Sequence, residues 1–258
     1  MQSMAPTLPE RLNKAPSIRF KIPTNQLTAK MDTTIKEIPQ RILKLALGAL
    51  SQANMHSVFS DPGSDHWDFI SIINTAHAGE LFLKAVIANE HPLLIFKDIF
   101  SLDDSRADSL ELVNLIQRGK THDFEKLPQV FWVTTGQRIP NPDCFERLRR
   151  ARNSIQHFCA PEGEDFRALS LEFIYTIIDP LIFEHFGLFA IKYHEDYSAG
   201  YDYVVSALLH RELKFSIPND FDLSEIRLSA ELKNATQNYR DWITRELDRI
   251  GRSDLLHR

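Results

Sequence analysis

The middle of the chain concentrates basic and polar side chains of the kinds that handle phosphodiesters. They are Arg147, Arg149, Arg150, Arg152, Asn153 and His157. Guanidinium groups bind nonbridging phosphate oxygens through forked hydrogen bonds, an amide can orient a substrate, and an imidazole exchanges protons near neutral pH. These residue types therefore favour chemistry on a phosphodiester.

A helix is needed to bring these side chains to one surface, and the sequence marks where it begins. Asn141, Pro142 and Asp143 have the residue types of an N-cap, a first helical position and a first turn. They predict a helix from Pro142 to about Phe158. Apolar residues at helical spacing predict its buried face: Cys144, Leu148, Ala151, Ile155 and Phe158.

The polar side chains of this helix share the opposite face. Arg149, Asn153 and His157 follow one another at four-residue intervals, and Arg152 lies beside them. An ordinary solvated helix face is the competing interpretation. The combination of guanidinium, amide and imidazole groups in one stripe favours a binding or catalytic site.

The segment Arg152-Asn-Ser-Ile-Gln-His157 resembles the Arg-x4-6-His motif of HEPN domains, in the form where Asn follows the Arg. HEPN proteins are helical bundles, and many are metal-independent ribonucleases of toxin-antitoxin, abortive-infection and CRISPR-linked defence systems. The resemblance covers residues 34–187. It departs from the fuller ribonuclease pattern at Cys159, where many members have a Tyr two residues after the His.

The resemblance implies a mechanism and a set of partners. The 2′-hydroxyl of RNA is the implied nucleophile, so no metal or cofactor is required, and the products carry a 2′,3′-cyclic phosphate. His157 would act as general base or acid, Arg152 would neutralise charge on the phosphorus, and Asn153 would bind the phosphate or fix the imidazole. The implied protein is an RNA endonuclease, serving as a toxin or anti-phage effector. It would form a homodimer with two motifs at one interface, and an antitoxin or sensor protein is a further expected partner.

An earlier helix carries a second polar stripe that resembles the second helix of HEPN bundles. His77, Glu80 and Lys84 stand at three- and four-residue intervals, so they share one face. They are expected to support the site, as are Arg149 and Arg150. The alternative is that Glu80 and Lys84 form an ordinary ion pair on the surface of their helix.

The rest of the chain predicts an all-α protein. The sequence has nine Gly in 258 residues and no alternating apolar pattern of strands. Three parts are expected: a poorly ordered segment (1–33), a HEPN-like bundle (34–187) and a helical C-terminal extension (188–258). Helices are predicted over 34–54, 67–89, 105–117, 124–133, 142–158, 165–186 with a kink at Pro180, a stretch ending near 213, and 224–250.

Composition narrows the function further. The net charge of −5 disfavours broad binding to polyanions, but residues 143–157 hold four Arg against Asp143 and Glu146, a local balance of +2. RNA binding should therefore depend on local arginines. No zinc-type Cys or His spacing and no Gly-rich phosphate loop occurs. The two cysteines, expected on one helix, are too far apart to pair.

Localisation and the competing function are also expectations. The sequence has no apolar run typical of a signal peptide or membrane span, which favours a cytoplasmic protein without a membrane partner. A second Arg-x4-His pair, Arg252 and His257, lies in a tail expected to fray. The alternative to a nuclease is a non-catalytic helical scaffold or regulatory module that binds a partner.

Overall fold

The computed structural model describes residues 33–59, 66–102, 110–160, 163–195 and 200–257, and most of these are helical. No β-strand occurs among them, so the predicted all-α class is confirmed. The α-helices are α1 (Thr33–Lys36), α2 (Ile38–Val58), α3 (His66–Glu90), α4 (Leu112–Arg118), α5 (Leu127–Thr135), α6 (Pro142–His157), α7 (Phe166–Phe173), α8 (Asp179–Phe186), α9 (Asp202–His210), α10 (Leu228–Glu231) and α11 (Gln237–Ile250). The predicted N-terminal segment lies outside the described residues, apart from Thr33.

Helices α2 and α3 form the central pair of the bundle and pack closely along their length. His56, near the end of α2, stacks on Trp67 at the start of α3, with ring centroids 4.7 Å apart, so the two helices run antiparallel. Asn54 is fully buried in α2, where its side-chain oxygen accepts a hydrogen bond of 2.9 Å from the Tyr175 hydroxyl. A buried amide that is bonded in this way fixes how the later helices sit on the pair.

Helix α3 is the central element of the core. By length and composition alone it is apolar enough to cross a membrane, although 67% of its most apolar window is buried inside the protein. That burial is the arrangement of a core helix, surrounded by its neighbours on most sides. Apolar side chains around its whole circumference explain why the helix has no single apolar face.

A π-helical turn lies directly before Asp179 and Pro180, where the sequence predicts a kink. The turn spans Ile174–Ile178 and joins α7 to α8. Because proline has no N–H, it leaves a carbonyl one turn earlier without its usual partner, and a local π turn accommodates the break. Helix α8 ends as predicted at Gly187, which adopts φ +65°.

One predicted helix differs from the structure, and another is described only in part. The helix predicted over 224–250 is broken, because Ala235 is extended and Thr236 starts α11 as a new N-cap, accepting a hydrogen bond from the Tyr239 N–H. Of the helix predicted over 105–117, the described part is α4, which begins at Leu112 after the extended Glu111; the predicted start lies outside the described residues. The break at Ala235 combines a local cap with a distant partner, because the Thr236 oxygen caps α11 while its hydroxyl and N–H both donate to Glu212.

The C-terminal residues pack onto the bundle and belong to the same connected cluster of buried apolar side chains. The carboxylate of Asp179 joins the two parts: it accepts hydrogen bonds from the backbone N–H groups of Ala190 (2.9 Å) and Ser216 (2.6 Å). The tail is not frayed, since Leu255 is buried and Arg252 pairs with Asp222 at 2.7 Å. The boundary at residue 187 stays a prediction.

Three phenylalanines connect α3, α6 and α7 beneath the candidate site. Phe145 of α6 packs on Phe124, with ring centroids 4.6 Å apart, and on Phe173 of α7 at 6.0 Å. Phe173 is fully buried, and its ring edge approaches Gly79 so closely that a Cβ there would lie 2.6 Å from it. Gly79 therefore lets α3 approach this aromatic cluster.

We expect Gly79→Ala to lower the free energy of unfolding, by about 1–3 kcal/mol for the overpacking, less the smaller gain in helix propensity. The fully buried Phe173 ring has packed neighbours and cannot move aside freely. Gly48→Ala is the matched control, because a Cβ at this position in α2 would have no atom within 4 Å apart from its own helix backbone, so this change should stabilise by about 0.5–1 kcal/mol. Denaturant unfolding measures both, and equal stabilisation would contradict the close approach.

Candidate active site

The N-terminus of α6 is built as the sequence predicts. Asn141 is the N-cap, in the left-handed conformation at φ +49°, and its side-chain oxygen accepts a hydrogen bond of 3.3 Å from the Cys144 N–H. The Asn141 amide also donates to the Thr176 hydroxyl at 2.9 Å. A cap of this kind stabilises a helix by about 1 kcal/mol, and here it also anchors α6 to the π-helical turn.

The buried face of α6 agrees with prediction except at its end. Cys144, Leu148 and Ala151 are buried, and burial raises the pKa of the Cys144 thiol to about 12. Both cysteines are free, as expected. Phe158, however, is 89% exposed and lies outside the helix, with its backbone at φ −148° and ψ −85°. The assignment of Phe158 to the buried face is therefore wrong.

Arg152 and Asn153 contact each other on the polar face of α6. The Arg152 guanidinium donates a hydrogen bond of 3.1 Å to the Asn153 side-chain oxygen, and both side chains are partly buried. Among the residues that the structure describes, no carboxylate forms an ion pair with Arg152. Its charge is therefore oriented by an amide and available to an anionic ligand.

Arg149 and Arg150 share one carboxylate partner. Both bind Glu146, with contacts of 2.7 Å from the Arg149 Nη2 and 2.9 Å from the Arg150 Nε. These two guanidinium groups hold the pKa of Glu146 at about 2, and Glu125 approaches Arg149 within 3.7 Å. Arg149 uses both Nε and Nη2 on Glu146 and would have to leave it to bind a phosphate through that fork, whereas Arg150 contacts Glu146 through Nε alone.

Arg147 forms ion pairs with two other carboxylates. Its two terminal nitrogens contact Glu164 at 2.8 Å and Glu172 at 3.0 Å, which ties α6 to the chain that follows it. Of the four arginines in this stretch, Arg152 is the one whose charge no described carboxylate balances. The local balance of +2 therefore overstates the positive charge available to a ligand.

His157 is the last residue of α6 and is exposed. Its side chain forms no hydrogen bond with another described residue, so the imidazole is accessible to a substrate. The chain then turns away, and the Ser154 hydroxyl closes the helix end by donating to the Cys159 carbonyl at 2.6 Å. Exposed Phe158 and Cys159 follow His157 at this corner.

The polar stripe on α3 forms a separate group. Glu80 and Lys84 pair at 2.5 Å, and the Lys84 ammonium also donates to the Thr121 hydroxyl at 3.0 Å. Lys84 is mostly buried, so this pair is more than an ordinary surface contact. His77 is exposed. Within the described part of the chain, none of these side chains forms a hydrogen bond or ion pair with α6.

The charge of Lys84 also affects His122, in the segment that leads to α5. Burial lowers the pKa of His122, and the charges of Lys97 and Lys84 lower it further. Lys84 therefore points towards the segment around Thr121 and His122. In the residues that the structure describes, no group of three or more His, Cys, Asp or Glu side chains has the arrangement of a metal site.

Two features of the site were missed from the sequence. Glu146 stands three and four residues before Arg149 and Arg150, a spacing that predicts ion pairs and could have been recognised. The exposure of Phe158 had no sequence marker, because a phenylalanine late in a helix fits an apolar face.

Comparison with known proteins gives no match to a family model, to a curated protein sequence or to a solved structure. The functional interpretation therefore rests on the motif and on the geometry of α6.

Proposed function

We propose that the chain is a metal-independent RNA endonuclease of the HEPN type, with Arg152, Asn153 and His157 as its catalytic groups. One observation carries the proposal: Arg152 is oriented by Asn153, has no described carboxylate partner, and precedes an exposed imidazole on the same helix. A guanidinium and an imidazole at this spacing are suited to a phosphodiester and its proton transfers.

The proposed reaction is an internal transesterification of RNA. The 2′-oxygen forms a bond to the adjacent phosphorus, the bond from phosphorus to the 5′-oxygen breaks, and a 2′,3′-cyclic phosphate results. His157 takes the proton from the 2′-hydroxyl or gives one to the leaving 5′-oxygen. Arg152 stabilises the charge that develops on the phosphoryl oxygens, and Asn153 holds Arg152 in position.

Phe158 gives the site a means of binding single-stranded RNA. Its ring is 89% exposed and directly follows His157. Every nucleobase has a flat face that stacks on an aromatic ring, with a contribution of about 1–3 kcal/mol per base. In the proposed complex a base next to the scissile phosphate stacks on Phe158.

We also propose a homodimer, because a single chain offers one imidazole where the reaction uses both a base and an acid. A two-fold interface that brings the C-terminal ends of two α6 helices together would supply the second His157 and double the unbalanced charge of Arg152. Sedimentation velocity tests this state, and a monomer at every concentration would overturn it. A cytoplasmic location and an antitoxin or sensor partner belong to the same proposal.

A second candidate function has an observation in its favour. Arg149 and Arg150 share the Glu146 carboxylate, which halves their net charge and leaves less positive charge on α6 than a nucleic-acid surface usually has. A helical module that binds a protein partner and cleaves nothing would need no more charge than this.

The experiment that separates these functions compares RNA and DNA oligonucleotides of one sequence, incubated with the chain in EDTA. We expect the RNA to be cut and the DNA to stay intact, because DNA lacks the 2′-hydroxyl nucleophile. A metal-dependent phosphodiesterase would lose its activity in the chelator. If both oligonucleotides stay intact, the nuclease proposal is wrong and the scaffold is favoured.

A further inference from the structure

A cavity of about 470 Å³ lies between α8, the segment 214–217 and α11, far along the chain from the α6 motif. Its inner wall consists of core residues: Tyr175, Phe215 and Ile217 are each at most 6% exposed. The cavity therefore reaches into the core and has the volume of sites that hold small organic ligands. We call it the C-terminal pocket.

Two pairs of aromatic rings line the C-terminal pocket. Phe183 and Phe189 form one pair, with ring centroids 5.3 Å apart. Phe215 and Trp242 form the other, in an edge-to-face contact at 5.7 Å. Four rings around one cavity favour a ligand with a flat, conjugated ring, since aromatic pairs add about 0.5–1.5 kcal/mol beyond their burial.

The rim of the pocket carries positive charge. Lys214 is exposed, and its ammonium forms no ion pair with any residue that the structure describes. The Arg249 guanidinium is fixed in place, with 2.8 Å to Glu246 and 3.0 Å to the Ile217 carbonyl. The Glu246 carboxylate, which also lines the pocket, balances the charge of Arg249, so Lys214 supplies the net positive charge of the rim. The Arg249 Nη1 forms no hydrogen bond with a described residue and can donate to a phosphate or carboxylate beside Lys214.

The pocket also has a carboxylate at its inner end. Asp179 lines it while remaining 1% exposed, and its oxygens accept the two backbone hydrogen bonds from Ala190 and Ser216. This carboxylate is therefore covered and already bonded, and it holds the inner wall in place. The ligand is defined by the four aromatic rings and the basic rim: a flat ring joined to an anionic group.

We propose that the C-terminal pocket binds a mononucleotide, with its base among the four aromatic rings and its phosphate on Lys214 and Arg249. The base supplies the flat ring, and the phosphate supplies the anion. The site lies where the C-terminal residues join the bundle, so an occupant would stabilise that junction. This proposal does not depend on the ribonuclease activity.

The test is calorimetric titration of the full chain with AMP and with GMP, with adenosine and guanosine as partners that lack the phosphate. Trp242 provides a second readout, because a base bound beside it changes its fluorescence. We expect at least one nucleotide to bind and its nucleoside to bind about tenfold or more weakly, which corresponds to about 1.4 kcal/mol. Lys214→Ala should weaken binding of the nucleotide by a similar factor and leave the affinity for the nucleoside unchanged.

Phe183→Ala is the companion variant, since this ring is half exposed at the pocket and its loss should not unfold the protein. This substitution should weaken the binding of nucleotide and nucleoside to the same extent. Lys233→Ala is the matched control, an exposed lysine of the same region that does not line the pocket. Absence of binding by both nucleotides at millimolar concentration would overturn the proposal, as would binding that Lys214→Ala and Phe183→Ala leave unchanged.

Discussion

Substituting His157 by Ala should lower the rate of RNA cleavage by about 100-fold or more, the usual loss when a general acid or base is removed. The side chain is exposed and forms no hydrogen bond with a described residue, so the melting temperature should stay unchanged. Arg152→Ala should cause a loss of similar size through the unbalanced charge on the phosphoryl group. Single-turnover cleavage of an RNA oligonucleotide in EDTA measures both variants.

The chain contains a matched control for this experiment. His257 is exposed and stands five residues after Arg252, the same spacing as His157 after Arg152. Arg252, however, is engaged by Asp222 and by the Phe221 carbonyl, so that second pair is structural. His257→Ala should therefore cleave RNA at the wild-type rate. Equal rates for His157→Ala and His257→Ala would show that His157 has no catalytic role.

The second large effect is a dependence of stability on pH that arises from Asp179. Burial raises the pKa of this carboxyl to about 6, although two backbone N–H groups counteract the shift. In the unfolded chain the group has an ordinary pKa near 3.8, so between pH 4 and 6 the folded protein binds more protons than the unfolded chain. The contribution of Asp179 to the free energy of unfolding therefore falls as pH rises through this range and levels off above pH 6. The total decrease is about 3 kcal/mol.

Asp179→Asn isolates this contribution because the amide does not titrate. Denaturant unfolding of both proteins between pH 3.5 and 7 gives the difference in their free energies of unfolding, in which all other groups cancel. We expect the wild type to lose about 3 kcal/mol relative to Asp179→Asn across that range. A difference that is constant, or that grows in favour of the wild type, would contradict the raised pKa.

The sequence predicts best what local chemistry determines. Asn141 and Pro142 define the start of α6 because an N-cap and a first helical position have strong residue preferences. The π-helical turn before Pro180 and the end of α8 at Gly187 follow from the same kind of local rule. These elements agree with the structure without any information about tertiary packing.

The sequence predicts poorly what depends on distant contacts. The break at Ala235 goes with Thr236, whose hydroxyl and N–H both bond to Glu212, more than twenty residues earlier. The C-terminal pocket likewise joins Asp179 and Phe183 of α8 to Trp242 of α11, elements that only the fold brings together. No periodicity within a short window contains such pairings.

The charge of the candidate site depends on both the local sequence and the tertiary contacts. Counting residues gives an excess of positive charge on α6, but the side chains of Glu146, Glu164 and Glu172 already balance three of the four arginines. Arg152 is left as the cation that a substrate would meet. RNA binding outside the site should therefore be weak, and binding at the site should depend on this single arginine and on Phe158.

The measurement that most directly tests the proposed ribonuclease is the chemical identity of the RNA ends that it produces. A single-stranded RNA oligonucleotide is incubated with the wild-type chain and with His157→Ala in EDTA, and the fragments are weighed by mass spectrometry. We predict 2′,3′-cyclic phosphate and 5′-hydroxyl ends from the wild type and intact RNA from His157→Ala. Intact RNA from the wild type, or fragments with 3′-hydroxyl ends, would contradict the proposed function.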